Sequence, residues 1–130
     1  MSSRKGPVRL MATNVETGAV VANRVRVASR PVERAIGLLS ERRLDPGEGL
    51  LITPCRGVHT WGMRFAIDVM ALDEDGIVVD AVEQLRPWRI RLPRRGGVNV
   101  LELPVGSLSL SRTQIGHRIA LKLAPAWEAR

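Results

Sequence analysis

Apolar and polar positions alternate in several stretches of the chain, and the alternation sets the first expectations. From Val8 to Thr13 the side chains of Val8, Leu10 and Ala12 occupy every second position, and Glu16-Thr17-Gly18 follows as a turn. Val25 and Val27 then share one side of an extended segment and Arg24 and Arg26 the other, the pattern of a sheet with one wet face on which arginines meet water. Residues 8–27 are predicted to open the chain as a β-hairpin. Between Ser29 and Ser40 the period changes. Pro31 suits a first helical turn, and Val32, Ala35, Ile36 and Leu39 recur at helical spacing, which predicts one short amphipathic helix that Gly37 weakens or ends.

Asp45-Pro46-Gly47 is a turn leading into the apolar run Gly49 to Thr53, predicted as a buried strand that Pro54 ends. The segment from Cys55 to Asp68 has no clean period; it is a loop or an irregular strand, and a functional site is expected there. Ile67 to Leu72 and Ile77 to Leu85 form a second hairpin across Asp73-Glu74-Asp75-Gly76. Arg86 to Gly97, with Pro87, Pro93 and a Gly pair, is a long connection with at most an edge strand. Val98 to Leu103 resumes as strand, Val105 to Ile115 fits either period, and Arg118 to Leu123 alternates with Ile119, Leu121 and Leu123 on one face. Many short strands with one clear helix predict a single all-β or mainly β domain over residues 1–130, a β-sandwich or jelly-roll-like barrel with one or two short helices.

Composition narrows this picture without redirecting it. A chain of 130 residues, 45% hydrophobic and 25% charged, has the size and balance of one ordinary globular core. The lone Cys55 forms no internal disulfide, as expected in a reducing compartment, and Gly6, Pro7 and Arg9 interrupt any apolar run near the start. No membrane span is predicted, and a cytoplasmic location is expected. The formal net charge of +7 attracts polyanions, but the arginines are scattered through strands and loops, which a compositional bias explains as well as binding does.

Three motifs in order carry a resemblance. Arg34, Gly37, Leu38, Leu44, Gly49, Leu50 and Leu51 lead into Cys55-Arg56-Gly57-Val58-His59-Thr60-Trp61-Gly62-Met63-Arg64-Phe65-Ala66-Ile67-Asp68-Val69; Leu72-Asp73-Glu74-Asp75-Gly76 and Val100-Leu101-Glu102-Leu103-Pro104-Val105-Gly106 follow. Over about residues 30–121 the chain resembles the uncharacterised "domain of unknown function 192" family, also called uncharacterised protein family UPF 0127. The resemblance implies a compact β-sandwich or jelly-roll-like fold and no assigned activity. Ala66, Leu39 and His117 stand where the family usually has Pro, Met and Asp.

The candidate chemistry gathers in the Cys55–Asp68 segment. Cys55 and His59 are a nucleophile and a base, with Asp68 as a possible orienting carboxylate, yet their spacing matches no catalytic signature, and a small buried thiol beside a hydrogen-bonded His is the commoner arrangement. With Met63 and His117 the same residues offer soft metal ligands, but structural zinc takes paired spacings that are absent, so no metal and no cofactor are expected. If the segment is extended, Trp61, Met63 and Phe65 share one face and Arg64 projects from the other. A pocket using Arg34, His59, Thr60, Trp61, Met63, Arg64 and Asp68 would then hold a small anionic or sugar-like ligand. The plainer alternative is that Trp61 caps the core and Arg64 pairs with Asp68. Arg86, Arg89, Arg91, Arg94 and Arg95 surround Trp88, but with no Tyr and one Phe in the chain a base-stacking platform cannot be built, and nucleic acid is the weaker partner class. The expectation is a small-ligand or protein-binding module with a pocket around Cys55–Asp68. The alternatives are a Cys/His-dependent enzyme, which the sequence does not favour, and a basic accessory protein docking on a partner or polyanion through Arg86–Arg95.

Overall fold

The alternation at the start of the chain becomes strands β1 (Leu10–Asn14) and β2 (Val20–Ala28) in the computed structural model, which describes residues 9–92 and 95–125. Helix α1 (Pro31–Ile36) follows, and the chain returns as β3 (Glu48–Ile52) parallel to β2, with Val25 beside Gly49 and Ala28 beside Ile52. The predicted second hairpin is β5 (Ile67–Leu72) and β6 (Val78–Leu85). β8 (Asn99–Leu103), helix α2 (Ser107–Ser111) and β9 (Ile119–Leu123) complete the main sheet. Its order is β6-β5-β8-β3-β2-β1-β9, antiparallel except between β2 and β3.

The two edges of this sheet meet at one end. Val78 N–H donates to His117 O, Gly116 N–H to Val78 O and Ile119 N–H to Gly76 O, each at 2.8 Å. The seven strands therefore curl into a half-barrel, and the domain is mainly β with two short helices. Gly76 is needed twice over at this closure: its φ is +83°, and a Cβ there would stand 2.7 Å from Ile119 O. The segment Val105 to Ile115, which fitted either period, supplies α2. The Arg86–Gly97 connection contains the two-residue strand β7 (Ile90–Arg91), which pairs with β4 (Val58–His59) as a small separate flap. Pro93 and Arg94 of that connection lie outside the described residues, as does Val8 of the opening strand.

Strand alternation divides the interior in two. Leu51, Met70, Leu72, Leu101 and Leu103 pack on one face of the sheet with Ala12, Val25 and Leu108. Leu50, Ile52, Ile67, Val69 and Val100 point to the other face, where Leu38, Val58 and Met63 cover them. Each such side chain contributes roughly 1.5–3 kcal/mol by leaving water. The final strand departs from its expected pattern: Ile119 is buried, but Leu123, at the far end of the edge strand β9, is exposed.

Helix α1 departs from the amphipathic burial expected of it. It ends at Gly37 after six residues and buries none of them; Val32, Ile36 and Leu39 of the apolar stripe are all exposed. Leu38, just past the helix end, enters the core instead. The helix is held at its start by Glu33, whose Oε1 accepts the N–H groups of Arg30 at 3.0 Å and Ser29 at 3.3 Å. Its apolar residues are thus available to line a space rather than fill one.

Candidate functional site

That space lies over the second face of the sheet. Ala35, Ile36, Leu38 and Leu39 wall one side of a cavity of about 80 Å³, and Cys55, Gly57, Val58, His59 and Met63 wall the other. Strand β8 supplies the floor. Val100 and Glu102 point toward this face while Leu101 and Leu103 point away, so the alternation places a carboxylate where an apolar residue would be expected. Glu102 is 3% exposed, and among the described residues no hydrogen bond reaches its carboxyl group. Desolvation raises its pKa from 4.5 to about 7.

Arg34 also lines this cavity. Arg34 Nη1 donates to Pro54 O at 3.1 Å, but its Nε is buried with no acceptor. Cys55 feels both: burial raises its thiol pKa first and Glu102 raises it further, while the backbone at Gly57 and then the Arg34 charge oppose the shift without reversing it. Its Sγ donates to Gly57 O at 3.1 Å. The thiol is therefore held protonated, the reverse of an activated nucleophile. Alkylation of Cys55 in the folded protein at pH 7.5 is expected to run at least several-fold slower than in the urea-unfolded chain, and faster in Glu102→Gln than in the native sequence. Equal rates in folded and unfolded protein would show the thiol to be reactive.

The remaining candidate residues separate into groups. His59 lines the cavity, and its ring lies 5.5 Å from that of Trp61, tilted by 45°. Met63 is buried and lines the cavity, whereas Trp61 is half exposed. The chain turns at Gly62, with φ +81°, so Trp61 and Met63 do not share the face that an extended segment would give them, and Trp61 does not cap the core. Arg64 is exposed, and Asp68 pairs with backbone rather than with it. Asp68 is fully buried away from the cavity, its oxygens accepting three backbone N–H groups, those of Gln84, Gly106 and Leu108, so it does not orient His59. His117 stands apart as well, with Nδ1 3.1 Å from Asn14 Nδ2 and 3.2 Å from Gln114 N. No group of three His, Cys, Asp or Glu side chains that could hold a metal ion occurs among the described residues.

Thr60 is a strut rather than part of the cavity wall. It is fully buried, its Oγ1 donates to Arg86 O and accepts Arg89 N–H at 2.9 Å, and its backbone bonds Arg89 and Trp88. These bonds tie the Cys55–Asp68 segment to the flap. Thr60→Val keeps the shape but removes the acceptor for Arg89 N–H, and is expected to cost about 2 kcal/mol in urea denaturation, with Thr60→Ser close to the native sequence. A loss under 0.5 kcal/mol for Thr60→Val would show that these bonds contribute little.

With this geometry established, likeness to other proteins becomes informative. Residues 12–121 match the model of the domain of unknown function 192 family, described as an uncharacterized ACR. The chain belongs to that family. A UPF0127 protein of Pyrococcus abyssi is 33% identical over 102 residues, covering 74% of this chain and 84% of the relative. A Sinorhizobium meliloti crystal structure, described as a candidate transcription regulator, superposes with TM-score 0.77 at 21% identity over 93% of this chain and 98% of the other. A Novosphingobium aromaticivorans protein of unknown function gives 0.75 at 18% identity over 92% and 90%. At these identities the two structures show the shared fold alone, and the family remains one of unknown function.

Of the cavity residues in the domain of unknown function 192 chain, Arg34, Cys55, His59 and Met63 were singled out from sequence; Glu102 was not. Its signal was present as the one charged residue in the apolar run Val98 to Leu103. Arg24 and Arg26, expected to face water, are half-buried in a second, polar cleft with Arg9, Arg43, Glu41 and Glu48, where Arg26 pairs with Glu41 at 3.1 Å. Among the described residues no helix is long and apolar enough to cross a membrane.

Proposed function

We propose that the protein is a small-ligand-binding module whose pocket is the cavity between α1 and the Cys55–Met63 segment. The observation that carries this reading is Glu102, a buried carboxyl group with no hydrogen-bond partner facing an open cavity. An unpartnered buried carboxyl costs stability, and a ligand that hydrogen-bonds to it recovers that cost on binding. Ala35 and Ile36 of α1 support the same reading, since they wall a space they do not fill. The test is a thermal-shift screen of compound classes against the native protein and Glu102→Leu, a variant expected to fold because it removes a buried charge. A concentration-dependent rise in Tm in the native protein, absent in the variant, is the expected result. A screen without shifts, or shifts equal in both proteins, would overturn the reading.

A second reading, docking of an acidic polypeptide on the flap, rests on a different observation. Trp88, Ile90 and Leu92 alternate along and beside β7 and are 67%, 53% and 74% exposed, while Arg91 turns inward to bind Asp80 through two bonds of 2.7 and 2.8 Å. Arg86, Arg89 and Arg95 are also exposed, and no acidic residue occurs from Gln84 to Leu101. Polyglutamate binding that weakens with salt and disappears in a Trp88→Ala, Arg89→Ala variant would support it; binding unchanged in that variant would remove it.

A further inference from the structure

We propose that the polar cleft over β1 and β2 is a second binding site and that it takes a dianionic phosphate group. The cleft has a volume of about 270 Å³ and is lined by Arg9, Arg24, Arg26 and Arg43 together with Glu41 and Glu48. Strand pairing gathers these charges. Arg24 and Arg26 are two positions apart on β2, so they project from the same face, about 7 Å apart along the strand. Leu10 pairs with Val25, which sets Arg9 next to Arg26, and Arg24 lies beside Glu48 of β3. The site is separate from the cavity under α1, because Leu50 stands between Arg26 and Glu102 across the sheet.

The guanidinium groups exceed the carboxylates available to neutralise them. Arg26 pairs with Glu41 at 3.1 Å and Arg43 with Asp45 at 3.0 Å, whereas among the described residues Arg9 and Arg24 belong to no ion pair. Glu48 is already engaged, its Oε1 accepting Asp45 N–H at 2.7 Å. Gathering the arginines has a cost that shows at Arg9: burial and then the charge of Arg26 lower its pKa, and Glu48 opposes this without reversing it. An anion in the cleft relieves that repulsion. Donors are within its reach, since the side chains of Arg26 and Arg43 are 39% and 81% exposed. Arg24 is half-buried and spends two of its five N–H groups, on Pro46 O at 3.0 Å and Asn23 Oδ1 at 3.4 Å.

Charge and size together select the ligand. A phosphomonoester carries about two negative charges near neutral pH, matching the two unpaired guanidinium groups, and its oxygens accept the paired N–H groups of arginine. A carboxylate would leave one cation unmatched. An extended polyanion such as nucleic acid fits less well, because Glu41 and Glu48 interrupt the positive surface and repel further phosphates. The volume lies just below the roughly 300–1,000 Å³ of pockets for drug-sized ligands, which suits a phosphate group on a short carbon skeleton rather than a nucleotide.

The experiment is an amide NMR titration of the full chain at pH 7.5 in low salt with inorganic phosphate, glycerol 3-phosphate, acetate and a single-stranded oligonucleotide. At least one of the two phosphate probes is expected to shift the amides of Arg26, Leu44 and Glu48 saturably, at least tenfold more tightly than acetate. Tighter binding of glycerol 3-phosphate assigns the site to phosphomonoesters, and tighter binding of inorganic phosphate to the free anion. Affinity should fall at least fivefold in Arg9→Gln and in Arg24→Gln, and stay within twofold in Arg112→Gln, which removes the same charge from an exposed position outside the cleft. Glu41→Gln removes a repelling carboxylate and frees Arg26, so it should bind several-fold more tightly; unchanged affinity there would overturn the site even if the arginine variants failed to fold. Equal losses in Arg112→Gln and Arg24→Gln, acetate binding as tightly as phosphate, or shifts by the oligonucleotide alone would each overturn it, as would silence at these amides from both phosphate probes.

Discussion

Glu102→Gln is expected to leave stability unchanged near pH 4 and to raise it by about 3 kcal/mol near pH 8. The native carboxyl titrates near 7 and its unfolded counterpart near 4.5, so between those values the folded protein holds more protons than the unfolded chain. Stability therefore falls as pH rises from about 4.5, and levels off above about 7 once the group is ionised in both states. The physical cause is that ionisation places a charge among Leu50, Ile52 and Val69 with no donor to receive it. Glutamine resembles the protonated form at every pH, so the two stability curves coincide in acid and separate through neutrality. Urea denaturation at half-unit pH steps measures this, and parallel curves across the range would show that Glu102 is satisfied in solution. A ligand that donates to Glu102 would narrow the gap, which links the measurement to the proposed function.

Asp68→Ala is expected to cost at least about 4 kcal/mol, a large share of the roughly 5–15 kcal/mol that holds an ordinary domain folded. One Asp68 oxygen accepts Gln84 N–H at 3.0 Å, where β6 carries a register shift opposite β5 and Gln84 adopts φ +52°. The other accepts Gly106 N–H at 3.1 Å and Leu108 N–H at 3.0 Å, at the start of α2. Removing the carboxylate leaves three backbone donors without their acceptor at a site where Asp68 is fully buried. Asp68→Asn retains one accepting oxygen but turns an amide donor toward another donor, and about half the loss is expected. Chemical denaturation gives the magnitude, and hydrogen exchange locates it, with the Gly106 and Leu108 amides losing protection first. A loss below 1 kcal/mol for Asp68→Ala would mean that α2 and the irregular part of β6 hold their positions without this residue.

These two carboxylates show how far sequence reasoning reaches. Asp68 was visible as a candidate because it is a carboxylate near Cys55 and His59 in sequence, but nothing in the chain says that Gln84, 16 positions away, and Leu108, 40 positions away, bring their N–H groups to it. A side chain in a motif has no stated partner until the strands pair. Glu102 is the reverse case. Its strand was legible from Val98 to Leu103, and its charge was plain, but whether that charge meets water or a covered face depends on what packs over β8. The covering residue Leu38 lay off the apolar stripe that the helical period selected, because α1 stops at Gly37 and the next residue, not the stripe, turns inward.

Local physics sufficed for the elements themselves. Period-two alternation, Asp75-Gly76, Pro31 and the Asp45-Pro46-Gly47 turn act over a few residues, through side-chain direction and backbone freedom, so hairpins, helix start and mainly β class could be read directly. Family membership was equally legible, since it rests on ordered local motifs. Only the tertiary structure decided that β2 and β3 run parallel, that the sheet edges meet beside Gly76, and that a cavity opens over Glu102. Those outcomes depend on long-range pairing and on which apolar surfaces cover each other, and burial of this kind is not encoded at any single position.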